Sequence, residues 1–316
     1  MSVGPIRSDV CAVVVSWNTK ELLRDCLATL TAPEDGQRLR VVCVDNGSTD
    51  GSARLVEQEF PWVELVRNVD NVGFAAACNQ GIARALERYG ARYVALVNSD
   101  LVVDASRIGA LVRRLSEEPR AAAAGPALRL PDGRLQTGAA GFRPTAWSGA
   151  CQFLFLSALT RGGCRGFFID QRRFVGRSEP VRVDWVSGAC MVVRGEAIAQ
   201  IGPLDSGFFM YGEDVEWCQR MGRASWSVWY VPQVEVVHRH GGSGSGANPQ
   251  WLASACELVR RDRGRLEYLV FRAAAAVGLT VRRVVYGLAY VASRREDYRR
   301  LANDMGVYAW WAIGRG

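Results

Sequence analysis

Residues 10–51, VCAVVVSWNTKELLRDCLATLTAPEDGQRLRVVCVDNGSTDG, decide the fold. Val10–Ser16 is an unbroken run dominated by β-branched residues, the pattern of a short strand buried on both faces. Trp17-Asn18-Thr19 then turns into a helical pattern over Lys20–Leu30, with Leu22, Leu23, Cys26, Leu27 and Leu30 on one side and Thr19 placed to cap it. A second strand, Leu39–Val44, ends in the polar run Asp45-Asn46-Gly47-Ser48-Thr49-Asp50-Gly51, and a helix follows to about Glu59.

The unit repeats. A strand over Val63–Arg67 leads through Asn68–Gly73 to a helix over about Ala75–Tyr89, and a fourth strand, Tyr93–Val97, ends in Asn98-Ser99-Asp100. Strand followed by helix, four times over, predicts an α/β layer with a mostly parallel sheet and helices on both faces. Ligands of such sheets bind beyond the carboxyl ends of the strands, where Asp45, Asn71 and Asp100 would gather. Farther along, Ser106–Glu117 reads as a helix, and Gly125-Pro126 with Leu130–Gly133 as a hairpin region. Val181–Val186 and Cys190–Val193 read as strands framing a small-residue turn, Ser187-Gly188-Ala189. Glu196–Ile201 is a short helix, and Ser227–Pro232 and Val234–Val237 are strands. Gly138–Pro180 carries no lasting period and reads as a partly mobile excursion over one side of the sheet edge.

Trp185–Trp217 gathers the features that suggest chemistry: the small-residue turn, an aromatic loop Phe208-Phe209-Met210-Tyr211, and paired carboxylates Glu213-Asp214 at a helix start. A small turn lets backbone approach a ligand. Acidic residues in a first helical turn also have a plainer reading, since they complement the helix dipole. Asn98-Ser99-Asp100 has the form of a degenerate D-x-D that would hold a divalent cation against a diphosphate, and equally that of an Asx turn closing a strand. His238 and His240, the only two histidines, are one residue apart and would face opposite sides of a strand, so at most one joins a given ion.

Composition narrows the classes. The nine cysteines are odd in number and scattered, with no C-x-x-C pair, which suggests neither a zinc knuckle nor a disulfide framework and fits a reducing, cytoplasmic compartment. No charged n-region with apolar h-region opens the chain, and no apolar run reaches the eighteen or so residues that span a bilayer. Net charge is +7. Residues 259–316 hold 12 Arg and 5 acidic residues, 12 − 5 = +7, whereas residues 1–258 hold 27 of each sign. Within the tail, Leu258–Ser293 reads as two helices whose apolar residues interleave with Arg pairs. That pattern suits an anionic membrane surface, or a helical pair that packs on the core or forms a homodimer. A neutral core and an apolar-interrupted basic tail argue against nucleic acid.

The order of these elements, strand–DNGSTD, NVGFAAACNQG, strand–NSD, WVSGAC, GPLD, FFMYGEDVEW and strand–EVVH, resembles glycosyltransferase family 2, the inverting transferases of GT-A fold, and within it the bacterial rhamnosyltransferases that act on polyprenyl-diphosphate-linked N-acetylglucosamine. The resemblance covers roughly Val10 to His240. It implies a GT-A domain over residues 1–245 and a basic amphipathic helical region over 246–316. It implies a dTDP-sugar donor, most simply dTDP-rhamnose, a lipid-linked saccharide acceptor, a divalent metal (Mn or Mg), and peripheral attachment to the cytoplasmic face of the plasma membrane. Ser16, Asn18, Asp45, Asn46, Asn71, Gly73, Asn79, Asn98 and Ser99 would then bind the donor nucleotide. Asp100 and His238 would hold the metal, Asp214 would be the general base, and Glu213 would position acceptor or metal. Trp185, Ser187, Gly188, Ala189 and Tyr211 would line the acceptor side. Asn98 departs from the family's Asp, which would weaken the metal shell and raise the weight on His238. A UDP-hexose donor, or a catalytically silent membrane scaffold keeping the fold, are the competing readings.

Overall fold

The computed structural model describes residues 9–30, 39–160, 163–170, 179–239 and 247–314. It falls into two compact units, one of Met1–Ala140 with Asp170–Ser243, the other of Gly141–Ile169 with Gly244–Gly316. The expected domain boundary at residue 245, the segment Gly241–Gly246 and His240 lie outside the described residues.

The first unit runs β1 (Val10–Ser16), α1 (Lys20–Thr29), β2 (Leu39–Asp45), α2 (Ser52–Glu59), β3 (Glu64–Arg67), α3 (Phe74–Ala83), a π-turn (Arg84–Arg88), β4 (Tyr93–Asn98), β5 (Leu101–Val102), α4 (Ala105–Ser116) and β6 (Ala121–Arg129). After β7 (Ala140–Gly141), α5 (Ala146–Phe153) and α6 (Leu156–Leu159) it resumes with β8 (Val181–Val183), β9 (Trp185–Val186), β10 (Cys190–Arg194), α7 (Gly195–Ile201), α8 (Glu213–Arg223) and β11 (Ser227–His238). The main sheet has the order β3-β2-β1-β4-β10-β6-β11-β5, with β8 on β11. The four opening strands are parallel, as the sequence predicts. β10 enters antiparallel between β4 and β6. All seven residues of β1 are buried, as a strand covered on both faces requires.

Several local expectations change. Thr19 stands at the start of α1, but its hydroxyl makes no cap. It bonds Ser16 Oγ at 3.0 Å and Ser99 Oγ at 2.8 Å, and Asp50 Oδ2 instead accepts from Lys20 N–H at 2.8 Å. Gly125-Pro126 is no hairpin. It lies within β6, where Pro126 pairs with Val231 at the register shift that precedes Glu235, a position where a missing N–H is tolerated. The hairpin is the smaller turn beyond it, closed by the Arg129–Leu135 bridge. The two strands expected over residues 227–237 are one twelve-residue strand with an irregularity. The segment expected to be a mobile excursion includes α5, opened by a Thr145–Ser148 capping box.

In the second unit Leu258–Ser293 spans two helices, the end of α9 (Gln250–Arg263) and α10 (Arg265–Ser293), and a third, α11 (Glu296–Ile313), follows. Phe153, Phe167, Leu252, Val259, Phe271 and Leu279 close its core.

In the first unit, Gly81 sets how closely α3 lies on β1. A Cβ there would stand 2.2 Å from Val13 Cγ1, an overlap that a β-branched side chain in a packed strand cannot relieve by rotation. Gly81→Ala is expected to lower stability by about 1–3 kcal/mol, the usual effect of overpacking. Gly222→Ala, in α8 with open space around it, is expected to be neutral or to stabilise by about 0.5–1 kcal/mol. Denaturant unfolding of the two variants checks both signs.

Candidate active site

β1, β2 and β4 end together, and the turn entering β10 meets them there. Ser16 pairs with Asp45 in register, and Cys190 lies opposite Val97. Asn98 N–H donates to Ala189 O at 2.8 Å, which pins the Ser187–Ala189 turn to the end of β4.

Asp214 anchors one side of this edge. It is the second residue of α8, close to free backbone N–H groups of the first turn. Its Oδ2 accepts from Gly188 N–H at 2.8 Å and its Oδ1 from Val215 N–H at 2.8 Å. Burial lifts its pKa above the ordinary aspartate range, against the pull of those N–H groups. Glu213 beside it is only 4% exposed, and its Oε2 has no hydrogen-bond partner. Burial first, and the charge of Asp214 second, push its carboxyl well above the usual range. Two adjacent carboxylates therefore differ in kind. Glu213 Oε2 meets no donor, whereas both oxygens of Asp214 accept from backbone N–H groups, which favour its ionised form.

The aromatic loop is fixed against this pair from the α3 side. Phe74 N–H donates to Phe209 O at 2.8 Å. Gly73 has φ +87, and a Cβ on it would come within 2.9 Å of Phe209. Only glycine meets both conditions. Asn79 grips the incoming chain, donating from Nδ2 to Leu204 O and accepting from Leu204 N–H, both at 2.9 Å. Tyr211 is exposed with φ +66, whereas Trp185 is 4% exposed and offers no surface to an acceptor.

On the β2 side, Asp45 is buried with Oδ1 unpartnered, its Oδ2 taking Ser48 N–H at 3.3 Å. Asn98 Oδ1 is likewise buried without a partner. Buried polar atoms are normally met by protein, water or ligand, so these two oxygens point to a bound molecule at this edge. Other residues expected at the nucleotide also brace the frame. Asn46 clamps the next loop, donating to Asn71 Oδ1 at 2.8 Å and accepting from Asn68 Nδ2 at 3.0 Å. Asn71 Oδ1 also takes Gly73 N–H at 2.9 Å. Asn18 Oδ1 accepts Thr49 N–H at 2.8 Å, and the hydroxyls of Ser16 and Ser99 are joined through Thr19.

The remaining pole is Asp100 with His238. The alternation of β11 puts His238 on the buried face together with Val234 and Val236. Its Nε2 stands 3.0 Å from Asp100 Oδ1, and its Nδ1 stands 2.7 Å from Gln136 Oε1. His238 thus bridges Gln136 and Asp100, with the donor at each contact set by the tautomer of the ring. A carboxylate oxygen suits Mn or Mg and an imidazole suits transition metals, so Asp100 and His238 are of the types that fit a divalent cation. Among the described residues no three His, Cys, Asp or Glu side chains gather on one ion. Gln136 was not foreseen, because a glutamine three residues past a turn carries no sequence signal.

Similarity to known proteins agrees with this layout. The family model described as glycosyl transferase family 2 matches residues 11–164. The chain is 33% identical over 262 residues to an N-acetylglucosaminyl-diphospho-decaprenol L-rhamnosyltransferase of Mycobacterium tuberculosis, covering 77% of this chain and 80% of that one. Its fold is similar to GalNAc-T7, solved with UDP, GalNAc and Mn2+ (TM-score 0.57, 14% identity, 82% of this chain and 48% of that one). It is also similar to the mannosyltransferase PcManGT of Pyrobaculum calidifontis, solved with GDP-Man and Mn2+ (TM-score 0.53, 15% identity, 98% and 88%). The fold is thus that of the GT-A glycosyltransferases, with carboxylates placed at the carboxyl edge of its strands. The chain belongs to glycosyl transferase family 2, and the reaction class is transfer of a glycosyl group.

A base with a raised pKa works only above it. The acid limb of the kcat/KM profile is expected to lie above the value of about 4 typical of an unperturbed aspartate. A profile flat down to that pH would remove Asp214 from the reaction.

Proposed function

We infer that the protein moves L-rhamnose from dTDP-rhamnose to a hydroxyl of a polyprenyl-diphosphate-linked saccharide, with inversion, in cell-wall or polysaccharide assembly. The observation that carries the reading is the pair Glu213–Asp214 at the carboxyl edge of the sheet, with both oxygens of Asp214 held by backbone N–H groups. Similarity to the mycobacterial decaprenol rhamnosyltransferase over four-fifths of that protein supports rhamnose as the sugar and a polyprenyl-diphosphate-linked saccharide as the acceptor.

An inverting transfer needs one base on the acceptor side and charge neutralisation on the departing diphosphate. Asp214 takes the proton of the acceptor hydroxyl as its oxygen attacks the anomeric carbon and the bond to the nucleoside diphosphate breaks. Gly188 N–H holds the carboxylate in place meanwhile. Asp45 and Asn98 supply unmet acceptors for the donor's N–H and O–H groups. Asp100 and His238 would hold a divalent cation, which when bound supplies positive charge to the diphosphate. Gln136 keeps the His238 ring oriented. The enzyme works peripherally at the cytoplasmic face of the plasma membrane, where a polyprenyl acceptor is presented.

Asp214→Asn is expected to lower kcat by about 10²–10⁴, the usual contribution of a general base, with dTDP affinity unchanged. Glu213→Gln, which mimics a neutral acid, is expected to stay within about tenfold of wild type. Transfer assays with dTDP-rhamnose and UDP-hexoses measure both effects and the donor choice. Wild-type turnover in Asp214→Asn would overturn the base assignment, and turnover with UDP-hexoses alone would overturn the donor. For the cation pole, Gln136→Ala is expected to weaken Mn2+ binding about 10–100-fold, read by calorimetry in the presence of dTDP. Unchanged affinity would leave Gln136 outside the ion's surroundings.

A further inference from the structure

α10 carries an apolar face that nothing in the described chain covers. Leu266, Val270, Val277, Val284, Leu288 and Val291 are exposed, from 47% at Val270 to 76% at Leu266. They are spaced three, four or seven residues apart and so form one stripe along the helix, roughly 40 Å long at 1.5 Å per residue. The opposite face, with Phe271, Ala275, Gly278 and Leu279, is buried in the core of the second unit. A row of this length in water is far larger than the scattered apolar residues of an ordinary surface.

The surrounding charge selects the occupant. Glu267 is the one acidic residue of α10, and it accepts from Ala146 N–H at 3.1 Å. Arg283 is exposed and stands over Gly306 of α11, where Asn303, Val307 and Trp310 line a groove with it. Trp310 is 76% exposed. An aromatic ring whose body is apolar and whose N–H is polar, next to a guanidinium, is suited to a lipid headgroup layer. No described helix is long and apolar enough to cross a membrane.

We propose that the α10 stripe, with Arg283 and Trp310 beside it, is a docking surface for an anionic lipid membrane, with α10 lying in the plane of the headgroup boundary. Its acyl-facing residues are Leu266 through Val291, and its phosphate-facing group is the Arg283 guanidinium. The proposal deepens the reading of a lipid-linked acceptor and takes its purpose from it. Its physical basis is the helix alone.

The test is sedimentation of the full-length protein with vesicles of phosphatidylcholine, alone or mixed with phosphatidylglycerol. The wild type is expected to bind the mixed vesicles and to bind phosphatidylcholine alone more weakly. The triple substitution Val277→Glu, Val284→Glu and Leu288→Glu is expected to reduce binding at least about tenfold. Arg283→Glu should reduce binding to the mixed vesicles only. Transfer to a water-soluble acceptor analogue should be unaffected in both, which also reports that they are folded. Should the triple variant unfold, Leu288→Glu carries the test, with quenching of Trp310 by brominated lipid in the wild type. Equal binding by variants and wild type would overturn the proposal. So would a wild type that ignores vesicles and forms a dimer that the triple variant abolishes. A protein that binds vesicles as described yet transfers no sugar would leave this surface standing and sink the proposed reaction.

Discussion

The hydrogen bond from Gly188 N–H to Asp214 Oδ2 is the contact on which the site depends. It ties the turn that enters β10 to the first turn of α8. The turn is itself fixed to the end of β4 through Ala189 O. A carboxylate from a distant helix is thereby placed against the carboxyl edge of the parallel strands, where an α/β sheet binds its ligands. The antiparallel entry of β10 makes this possible, because a strand running the other way brings its preceding turn, rather than its following loop, to that edge.

The same packing separates the two acids electrically. Glu213 goes inward and has no partner for Oε2, while Asp214 meets two backbone N–H groups that favour its ionised form. Loops then fill the remaining positions by mutual constraint. Gly73 makes room for Phe209, Asn79 holds Leu204, and Asn46 holds the loop that contains Asn71. Much of the polar sequence at the strand ends is therefore scaffold. Asp45 and Asn98 keep buried oxygens that no donor in the chain meets, and with Asp100 and His238 they are the residues proposed to face the donor.

The opening half of the fold was legible because its strands are continuous β-branched runs and its helices keep one apolar side. The acidic pair Glu213-Asp214 was legible too, as a helix start after an aromatic loop. β6 was missed because Ala121-Ala122-Ala123-Ala124 has no strand signature and takes its conformation from β10 and β11 on either side. The grip of Asn46 and Asn79 on neighbouring loops was not legible, because sequence does not tell an amide that braces a loop from one that faces a substrate. Trp185 was misplaced for a related reason, since its indole fills the interior. The third tail helix escaped because the residues after Ser293 alternate charge and aromatics without a clear stripe.

The central claim is that this edge binds a dTDP-sugar through its diphosphate, with a cation held by Asp100 and His238. Titration calorimetry of the wild type with dTDP, with and without Mn2+, and with UDP as comparator, tests it most directly. The account predicts dTDP binding that strengthens when Mn2+ is present and exceeds that of UDP. Absence of binding by either nucleotide under both conditions would contradict it.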